Sequence, residues 1–286
     1  MFSPLVTTQW LQENLDNERL VLIDASMATV IGKEPVVYDQ SMWIPGSYQV
    51  DLEGRLCDTE SSQTHAFPTE KQVTDEARRL GITAESLVVV YDNQGIYSAP
   101  RAWWIFRAMG VKHVFVLDGG LPQWLAEKRE VVFAPVANAA TPGNFMANFD
   151  HHRVQNSGYV LQHLEDDQVT VIDARSRARF LAQMPEPRPG VRGGHIPGSY
   201  NLPFAEVLEG YRFKPTNELM TAFTSLTPAL QSGSRNPVVF SCGSGITACI
   251  ILLAAELAGY DHLSLYDGSW TDWGSDAALP VSNESR

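Results

Sequence analysis

The strongest constraint on the fold is an internal repeat that spans nearly the whole sequence. Three pairs of segments match: VLIDAS at 21–26 with VIDARS at 171–176, IPGS at 44–47 with IPGS at 196–199, and LDGGLPQW at 117–124 with YDGSWTDW at 266–273. The pairs occur in the same order and at nearly constant offsets of 149, 152 and 149 residues. Such self-similarity predicts two similar structural units that arose by duplication.

Each half alternates short apolar runs with helical segments. The second half has predicted strands at Val169–Asp173, Pro237–Ser241 and Leu263–Tyr266 and a predicted helix at Ile246–Ala258, and the first half has their counterparts at Val21–Asp24, Leu87–Tyr91, Val114–Leu117 and Ala99–Met109. Alternating strands and helices predict an α/β fold in which helices flank a parallel sheet. We expect two such domains, at 1–135 and 153–286, joined by an Ala-, Asn- and Pro-rich linker at 136–152.

The composition limits the partners and the compartment. The 286-residue chain carries a formal net charge of -12, which argues against nucleic acid or an anionic membrane as partner. The N-terminal segment lacks the features of a secretory signal, and no apolar stretch is long enough to span a bilayer. The three cysteines are not spaced for metal binding, and free thiols suit a cytoplasmic protein.

One cysteine has a revealing counterpart in the first half. Aligning Gly95 and Ile96 with Gly245 and Ile246 places Asp92 opposite Cys242. A small buried residue with a purely structural role is not expected to alternate with a carboxylate. The asymmetry therefore predicts one chemically active half, which carries the thiol, and one inactive half.

The residues around Cys242 form a turn suited to a reactive sulfur. Cys242 follows a predicted strand, Gly243-Ser244-Gly245 forms the turn, and a helix begins directly afterwards. Glycines allow backbone N–H groups to converge, and the helix N-terminus adds partial positive charge. Both effects stabilise a thiolate and any anionic atoms attached to its sulfur. The alternative is a buried, inert cysteine.

This segment resembles the active loop of the rhodanese superfamily. The run Cys242-Gly243-Ser244-Gly245-Ile246-Thr247 is similar to the C-G-[ST]-G-hydrophobic-T loop of the 3-mercaptopyruvate sulfurtransferases, and the likeness extends to GHIPGS at 194–199 and YDGSW at 266–270. The resemblance implies two tandem rhodanese-like domains, a catalytically silent one at 1–135 and a catalytic one at 153–286. It also implies that Gly243, Gly245, Ile246 and Thr247 contact the substrate.

Positive charge for an anionic substrate lies outside this loop. The segment at 175–195 contains five arginines, and its Arg179-Phe180 and Glu186-Pro187-Arg188 match a pattern of the same family. The resemblance implies that Arg179 and Arg188 bind the carboxylate and keto group of the sulfur donor. Arg175 is expected to form a structural ion pair with Asp173, whereas Arg177 and Arg192 are assigned no role.

The implied reaction is a double displacement through a Cys242 persulfide. Sulfur passes from 3-mercaptopyruvate to Cys242 with release of pyruvate, and then to cyanide or to a thiol such as thioredoxin or a low-molecular-weight thiol. No metal or organic cofactor is implied. Ser244 and His65, supported by Glu53 or Asp58, are candidates for a proton relay. The alternatives are a hydroxyl that serves only the turn and a loop histidine without a catalytic role.

Three other functions compete with this interpretation. Phosphatases and arsenate reductases with a cysteine-centred anion loop are the first. Phosphatases of this type place an arginine six residues after the cysteine, where this chain has Ala248, so this function is disfavoured. A thiosulfate:cyanide sulfurtransferase would differ only in the donor. A non-catalytic sulfur carrier or regulatory module would not need the two arginines.

Overall fold

The chain forms two compact units. The computed structural model describes residues 3–166, 168–231 and 235–284. The first unit runs to Glu60 and also contains Phe67–Asp150 and Gly210–Phe213. The second contains Ser61–Ala66, His151–Glu209 and the chain from Lys214 onward.

The first unit is built on a parallel sheet. Its strands are Leu5–Val6 (β1), Leu20–Asp24 (β2), Tyr48–Gln49 (β3), Leu87–Tyr91 (β4) and Val114–Leu117 (β5), and its helices are Thr8–Asn14 (α1), Glu70–Arg79 (α2), Ala99–Ala108 (α3) and Gly120–Ala126 (α4). The strand order is β1-β5-β4-β2-β3, and each neighbouring pair is parallel.

The second unit repeats this arrangement. Its sheet consists of Val154–Gln155 (β6), Thr170–Asp173 (β7), Tyr200–Asn201 (β8), Val238–Ser241 (β11) and Leu263–Tyr266 (β12), and its helices are Ser157–Gln162 (α5), Arg177–Phe180 (α6), Thr216–Thr224 (α7), Ala248–Leu257 (α8) and Ser269–Ser275 (α9). The order β6-β12-β11-β7-β8 is again wholly parallel. Three 3₁₀ turns lie at His151–Arg153, Phe204–Val207 and Pro228–Leu230, and the short strands Leu208–Glu209 (β9) and Arg212–Phe213 (β10) lie outside both sheets.

The two sheets confirm the α/β fold predicted from the repeat. The strands β2, β4 and β5 correspond to β7, β11 and β12, in the same positions of the two sheets. The helices α3 and α8 follow β4 and β11, and most of their side chains are buried. Burial is expected of α8, which is apolar on nearly every face, whereas α3 also carries Arg101 and Arg107. No helix in the described parts of the chain is long and apolar enough to cross a membrane.

The segment proposed as a linker contacts the first unit along much of its length. The N–H of Gly143 donates to the carbonyl of Arg78 at 2.8 Å, and the N–H of Asn148 donates to the carbonyl of Met109 at 3.0 Å. The ring of Phe149 stacks on Phe67 with 5.4 Å between centroids. The domain limits at 135 and 153 stay a prediction.

Candidate active site

Cys242 lies at the carboxyl end of a central strand. It follows β11 directly, is 2% exposed, and is joined to α8 by the loop at 243–247. Gly245 has a φ of +79°, and its counterpart Gly95 has a φ of +98°. Side chains disfavour this left-handed region, so glycine allows the chain to turn from the strand into the helix. Parallel α/β sheets bind ligands at this edge.

The first turn of α9 binds the carbonyl groups of the Cys242 loop. The N–H of Trp270 donates to the carbonyl of Cys242 at 3.0 Å, and the N–H of Thr271 donates to that of Gly243 at 2.8 Å. The Thr271 hydroxyl donates to the same Gly243 carbonyl at 2.6 Å. With its carbonyls held on this side, the loop can direct N–H groups toward the sulfur.

The first unit shows what such a loop can bind. The Asp92 carboxylate accepts hydrogen bonds from the N–H groups of Gln94, Tyr97, Ser98 and Ala99 at 2.8–2.9 Å. A buried aspartate at this position is therefore the internal anion of an N–H nest. At the offset of 150, the corresponding residues are Ser244, Thr247, Ala248 and Cys249. The N–H of Cys249 donates instead to the carbonyl of Ile246 at 3.1 Å, so the first three are the N–H groups that we expect to face the sulfur. The loop suits an anionic sulfur for the same reason that it suits a carboxylate.

We expect Asp92→Asn to lower the free energy of unfolding of the first unit by at least about 3 kcal/mol. Hydrogen bonds to a charged group contribute about 1.5–3 kcal/mol each, and the amide would turn an N–H group toward other N–H donors. Amide hydrogen exchange over residues 94–108 should accelerate while exchange over 244–257 stays constant. Asp51→Asn is the control, because Asp51 also accepts two backbone N–H groups but is exposed. Equal effects of the two variants would contradict the interpretation of Asp92.

Ser269 is a buried contact of Cys242 that the sequence analysis missed. Its hydroxyl accepts the N–H of Cys242 at 3.1 Å and donates to the carbonyl of Tyr266 at 2.8 Å. Ser269 has a φ of +52°, and its counterpart Gly120 has a φ of +50°. The internal repeat could have pointed to Ser269, because serine at this position replaces the glycine found at position 120 of the first half.

Arg188 brings a positive charge to the Cys242 loop. Its Nη2 donates to the Ser244 hydroxyl at 3.3 Å, and its Nη1 is 3.5 Å from the Thr271 hydroxyl. Both partners are neutral, and none of the residues described in the structure gives Arg188 a carboxylate partner. Its charge is therefore available to an anionic ligand at the loop.

Arg179 also reaches the loop but is engaged by a buried acid. Its guanidinium forms an ion pair with Glu186, through Nε at 3.2 Å and through a short contact from Nη2. The same Nη2 lies 3.3 Å from the place where a Cβ on Gly243 would stand. Glu186 thus holds Arg179 against the loop. Glu186 belongs to the Glu186-Pro187-Arg188 motif, but no role was predicted for it from the sequence.

Arg175 links Glu186 to the sheet. It forms an ion pair with Asp173 at 2.7 Å and another with Glu186 at 2.8 Å, and its guanidinium lies over the ring of Trp270 at 4.5 Å. The ion pair with Asp173 agrees with the expectation for Arg175. Because Asp173, Arg175, Glu186 and Arg179 together carry no net charge, Arg188 supplies the excess positive charge.

His65 contacts Ser244 within the second unit. Its Nδ1 is 2.8 Å from the Ser244 hydroxyl, so a proton can pass between the two side chains. The segment Ser61–Ala66 is also bound to this unit by a short hydrogen bond from Gln63 to Asp267. Glu53 and Asp58 belong to the first unit, and a role for either one with His65 stays a prediction.

Two further predicted residues, Ile246 and Thr247, lie directly before α8, close to Cys249, for which no role was predicted. Ile246 is buried, Thr247 immediately precedes the helix, and Cys249 is buried in it with its thiol 3.4 Å from the Gly245 carbonyl. The structure therefore gathers a thiol, an N–H nest, two arginines and a serine–histidine pair at one sheet edge. Such a site can bind a small anion, attack it with sulfur and move a proton.

The chain is similar to proteins with rhodanese-like domains, and the relatives named here are all sulfurtransferases. The model of the rhodanese-like domain matches residues 7–127 and 157–276. The 3-mercaptopyruvate sulfurtransferase of Escherichia coli K12 is 36% identical over 278 residues, which cover 96% of either chain. The thiosulfate sulfurtransferase of Cricetulus griseus is 34% identical over 282 residues, covering 96% of this chain and 92% of the relative. The crystal structure of the 3-mercaptopyruvate sulfotransferase SseA from Escherichia coli matches with a TM-score of 0.79 and 34% identity, covering 94% of this chain and 99% of that one.

Proposed function

The chain belongs to the rhodanese family as a tandem-domain sulfurtransferase, and from this premise we propose that its sulfur donor is 3-mercaptopyruvate. The observation that supports the proposal most strongly is the position of the Arg188 side chain. Its guanidinium contacts the Cys242 loop through Ser244 and has only hydroxyl partners among the described residues. A guanidinium binds a carboxylate through two parallel hydrogen bonds, and 3-mercaptopyruvate carries a carboxylate close to its sulfur.

In the proposed reaction, the Cys242 thiolate attacks the sulfur of 3-mercaptopyruvate. A sulfur–sulfur bond forms and the carbon–sulfur bond breaks, which leaves the bonding electron pair on the methylene carbon as the enolate of pyruvate. Arg188, with Arg179 held by Glu186, binds the carboxylate and keto group. The N–H groups of Ser244, Thr247 and Ala248, which correspond to those that bind Asp92, stabilise the anionic sulfur.

The enolate needs a proton before it leaves as pyruvate. Ser244 is suited to donate that proton, because its hydroxyl accepts from Arg188 and can therefore direct its own hydrogen elsewhere. His65, 2.8 Å away, would return a proton to Ser244. Glu53 or Asp58 remains the proposed support for His65.

The second half-reaction returns the enzyme to its starting state. A thiol, for example thioredoxin or a low-molecular-weight thiol, or cyanide attacks the outer sulfur and releases Cys242. No metal or organic cofactor takes part in this scheme. The scheme favours a reducing compartment such as the cytoplasm, because Cys242 has to remain a thiol between turnovers.

Thiosulfate is the alternative donor, since relatives of both kinds resemble the chain about equally. We expect kcat/KM with cyanide as acceptor to be at least tenfold higher for 3-mercaptopyruvate than for thiosulfate, because the Cys242 loop carries no cation of its own and Arg188 matches a carboxylate. The assay compares pyruvate release with sulfite release on one enzyme preparation. A higher kcat/KM for thiosulfate would overturn the donor assignment, and absence of turnover with both would favour a carrier or regulatory module.

A further inference from the structure

The first unit contains a cavity that the proposed reaction does not use. It has a volume of about 450 Å³ and lies at the carboxyl edge of the sheet, where Asp24 and Asn93 contribute to its wall. About half of its lining is apolar, including Met27, Val30, Val36, Met42, Trp43 and Leu121, and most of the rest is neutral and polar, including Gln40, Gln49 and Gln94. Asp24 is the only charged side chain among the described residues that line it. A single buried carboxylate in an otherwise uncharged cavity is costly unless a positive partner balances it.

The Asp24 carboxylate is deeply buried and has no cationic partner in the described chain. It is 4% exposed, and its Oδ1 accepts hydrogen bonds from the N–H and the hydroxyl of Ser26. Lys33 donates instead to the carbonyl of Gln94 at 2.9 Å. Burial is the main reason that the pKa of Asp24 rises to about 6, so the side chain is ionised at neutral pH despite its surroundings.

The second unit shows how the same position is filled there. Asp173 is the counterpart of Asp24, and the N–H of Arg175 donates to Asp173 at 2.8 Å as the N–H of Ser26 donates to Asp24 at 3.0 Å. The Arg175 guanidinium then binds Asp173 with both Nε and Nη2, at 2.9 and 2.7 Å from one carboxylate oxygen. Serine at position 26 leaves Asp24 without this guanidinium.

The aromatic neighbour of that guanidinium is also missing from the first unit. Arg175 lies over Trp270, and the counterpart of Trp270 is Leu121. The correspondence holds in the backbone, because the N–H of Trp270 donates to the carbonyl of Cys242 at 3.0 Å and the N–H of Leu121 donates to that of Asp92 at the same distance. Both Ser26 and Leu121 line the cavity. The first unit thus keeps the carboxylate but lacks the side chains that fill this space in the second unit.

We propose that this cavity is a binding site for a small molecule with a guanidinium or amidinium head group, with Asp24 as its counter-ion. The planar head group would take the place that Arg175 fills in the second unit, and the apolar wall would contact a short aliphatic body. The volume is within the range of ordinary small-molecule sites. This cavity takes no part in the proposed sulfur transfer, so the proposal for it can be tested independently of the donor assignment.

Methylguanidinium chloride at low millimolar concentration is the probe, with tetramethylammonium chloride at equal ionic strength as the control cation. Saturation-transfer NMR should show saturable binding of methylguanidinium to the full chain. Asp24→Asn should weaken this binding at least tenfold, whereas Asp51→Asn, which removes an exposed carboxylate of the same unit, should leave it unchanged. Failure of the full chain to bind methylguanidinium, or equal binding of both cations, would overturn the proposal.

Ser26→Arg provides a second test that does not depend on the folding of Asp24→Asn. It supplies the internal guanidinium of the second unit, so methylguanidinium binding should disappear while the melting temperature rises. Retained binding by a folded Ser26→Arg variant would contradict the proposal. Agmatine and an Ala-Arg-Ala peptide carry the same head group, and tighter binding of agmatine supports a free small molecule. Equal or tighter binding of the peptide would overturn that assignment.

The affinity should also depend on pH in a defined direction. Methylguanidinium needs the ionised carboxylate, so its affinity should fall as the pH is lowered through about 6. The groups that face Asp24 include the Asp92 carboxylate, which opposes its ionisation, the N–H and hydroxyl of Ser26, which favour it, and the neutral indole of Trp43. Tyr91 and Tyr38 also interact with Asp24, and their pKa values are raised, mainly by burial, so they stay neutral in this range. An affinity that is constant between pH 5 and pH 7.5 would contradict the role of Asp24.

Discussion

We expect Cys242→Ser to abolish persulfide formation and to lower kcat/KM for pyruvate release by at least about 10⁴-fold. A serine hydroxyl is not ionised at neutral pH and is a poor nucleophile toward sulfur, whereas a thiolate is a strong one. The variant keeps the backbone contacts of Cys242 to Ser269 and Trp270, so its fold should be intact. Mass spectrometry of the protein after incubation with the donor alone detects the added sulfur.

Ser244→Ala is the matched control for this experiment. It removes a hydroxyl from the same loop but leaves the nucleophile, so the persulfide should still form, at a lower rate, because the enolate loses its proton source. A Cys242→Ser variant that still gains sulfur would disprove the role of Cys242. If Ser244→Ala forms the persulfide at the rate of the parent enzyme, Ser244 has only a structural role in the turn.

Replacing Arg188 with alanine should raise the KM for 3-mercaptopyruvate by about 10- to 150-fold. A hydrogen bond to a charged group contributes about 1.5–3 kcal/mol, and 1.4 kcal/mol corresponds to a factor of ten. The effect should be large because the chain has a net charge of -12, which repels an anionic donor unless a local cation attracts it. Initial rates of pyruvate release over a range of donor concentrations separate KM from kcat.

Arg177→Ala is the corresponding control in the same segment. Arg177 is exposed, and among the described residues its ion-pair partner is the exposed Glu206 at 3.5 Å. Its removal therefore lowers the positive charge of the chain by the same amount as Arg188→Ala but leaves the Cys242 loop intact. Arg188→Lys should recover part of the affinity, since lysine keeps the charge but not the two-pronged geometry. Equal KM values for Arg188→Ala and Arg177→Ala would show that total charge, rather than Arg188, attracts the donor.

Much of the fold was accessible from the sequence because the buried strands are short apolar runs. The predicted strands at Leu87–Tyr91, Val114–Leu117 and Leu263–Tyr266 coincide with β4, β5 and β12. The predicted helix at Ile246–Ala258 is longer than α8 at Ala248–Leu257, because the loop around Cys242 takes the first residues. The edge strands β3 and β8, with two residues each, are too short to leave a periodic signal.

The site was only partly predictable, because several of its contacts join distant parts of the sequence. Cys242 and Arg188 were found from motif and spacing, but Ser269, Thr271 and Glu186 gained their roles only from contacts in the folded chain. Arg179 was predicted as a ligand of the substrate carboxylate, and the structure adds that it is bound by Glu186. The order of residues in the sequence does not show which acid pairs with which arginine.

The sequence by itself determined the duplication, the α/β class and the contrast between Asp92 and Cys242, because identities at a constant offset and apolar periodicity are properties of the linear chain. The tertiary structure decided why that contrast is possible. Four N–H groups surround the Asp92 carboxylate, and the same turn can stabilise an anionic sulfur. The tertiary structure also decided which arginine is left without a carboxylate, since Asp173 and Glu186 together neutralise Arg175 and Arg179 but not Arg188. Hydrogen-bond and charge balances depend on distances in space, which residue order alone does not specify.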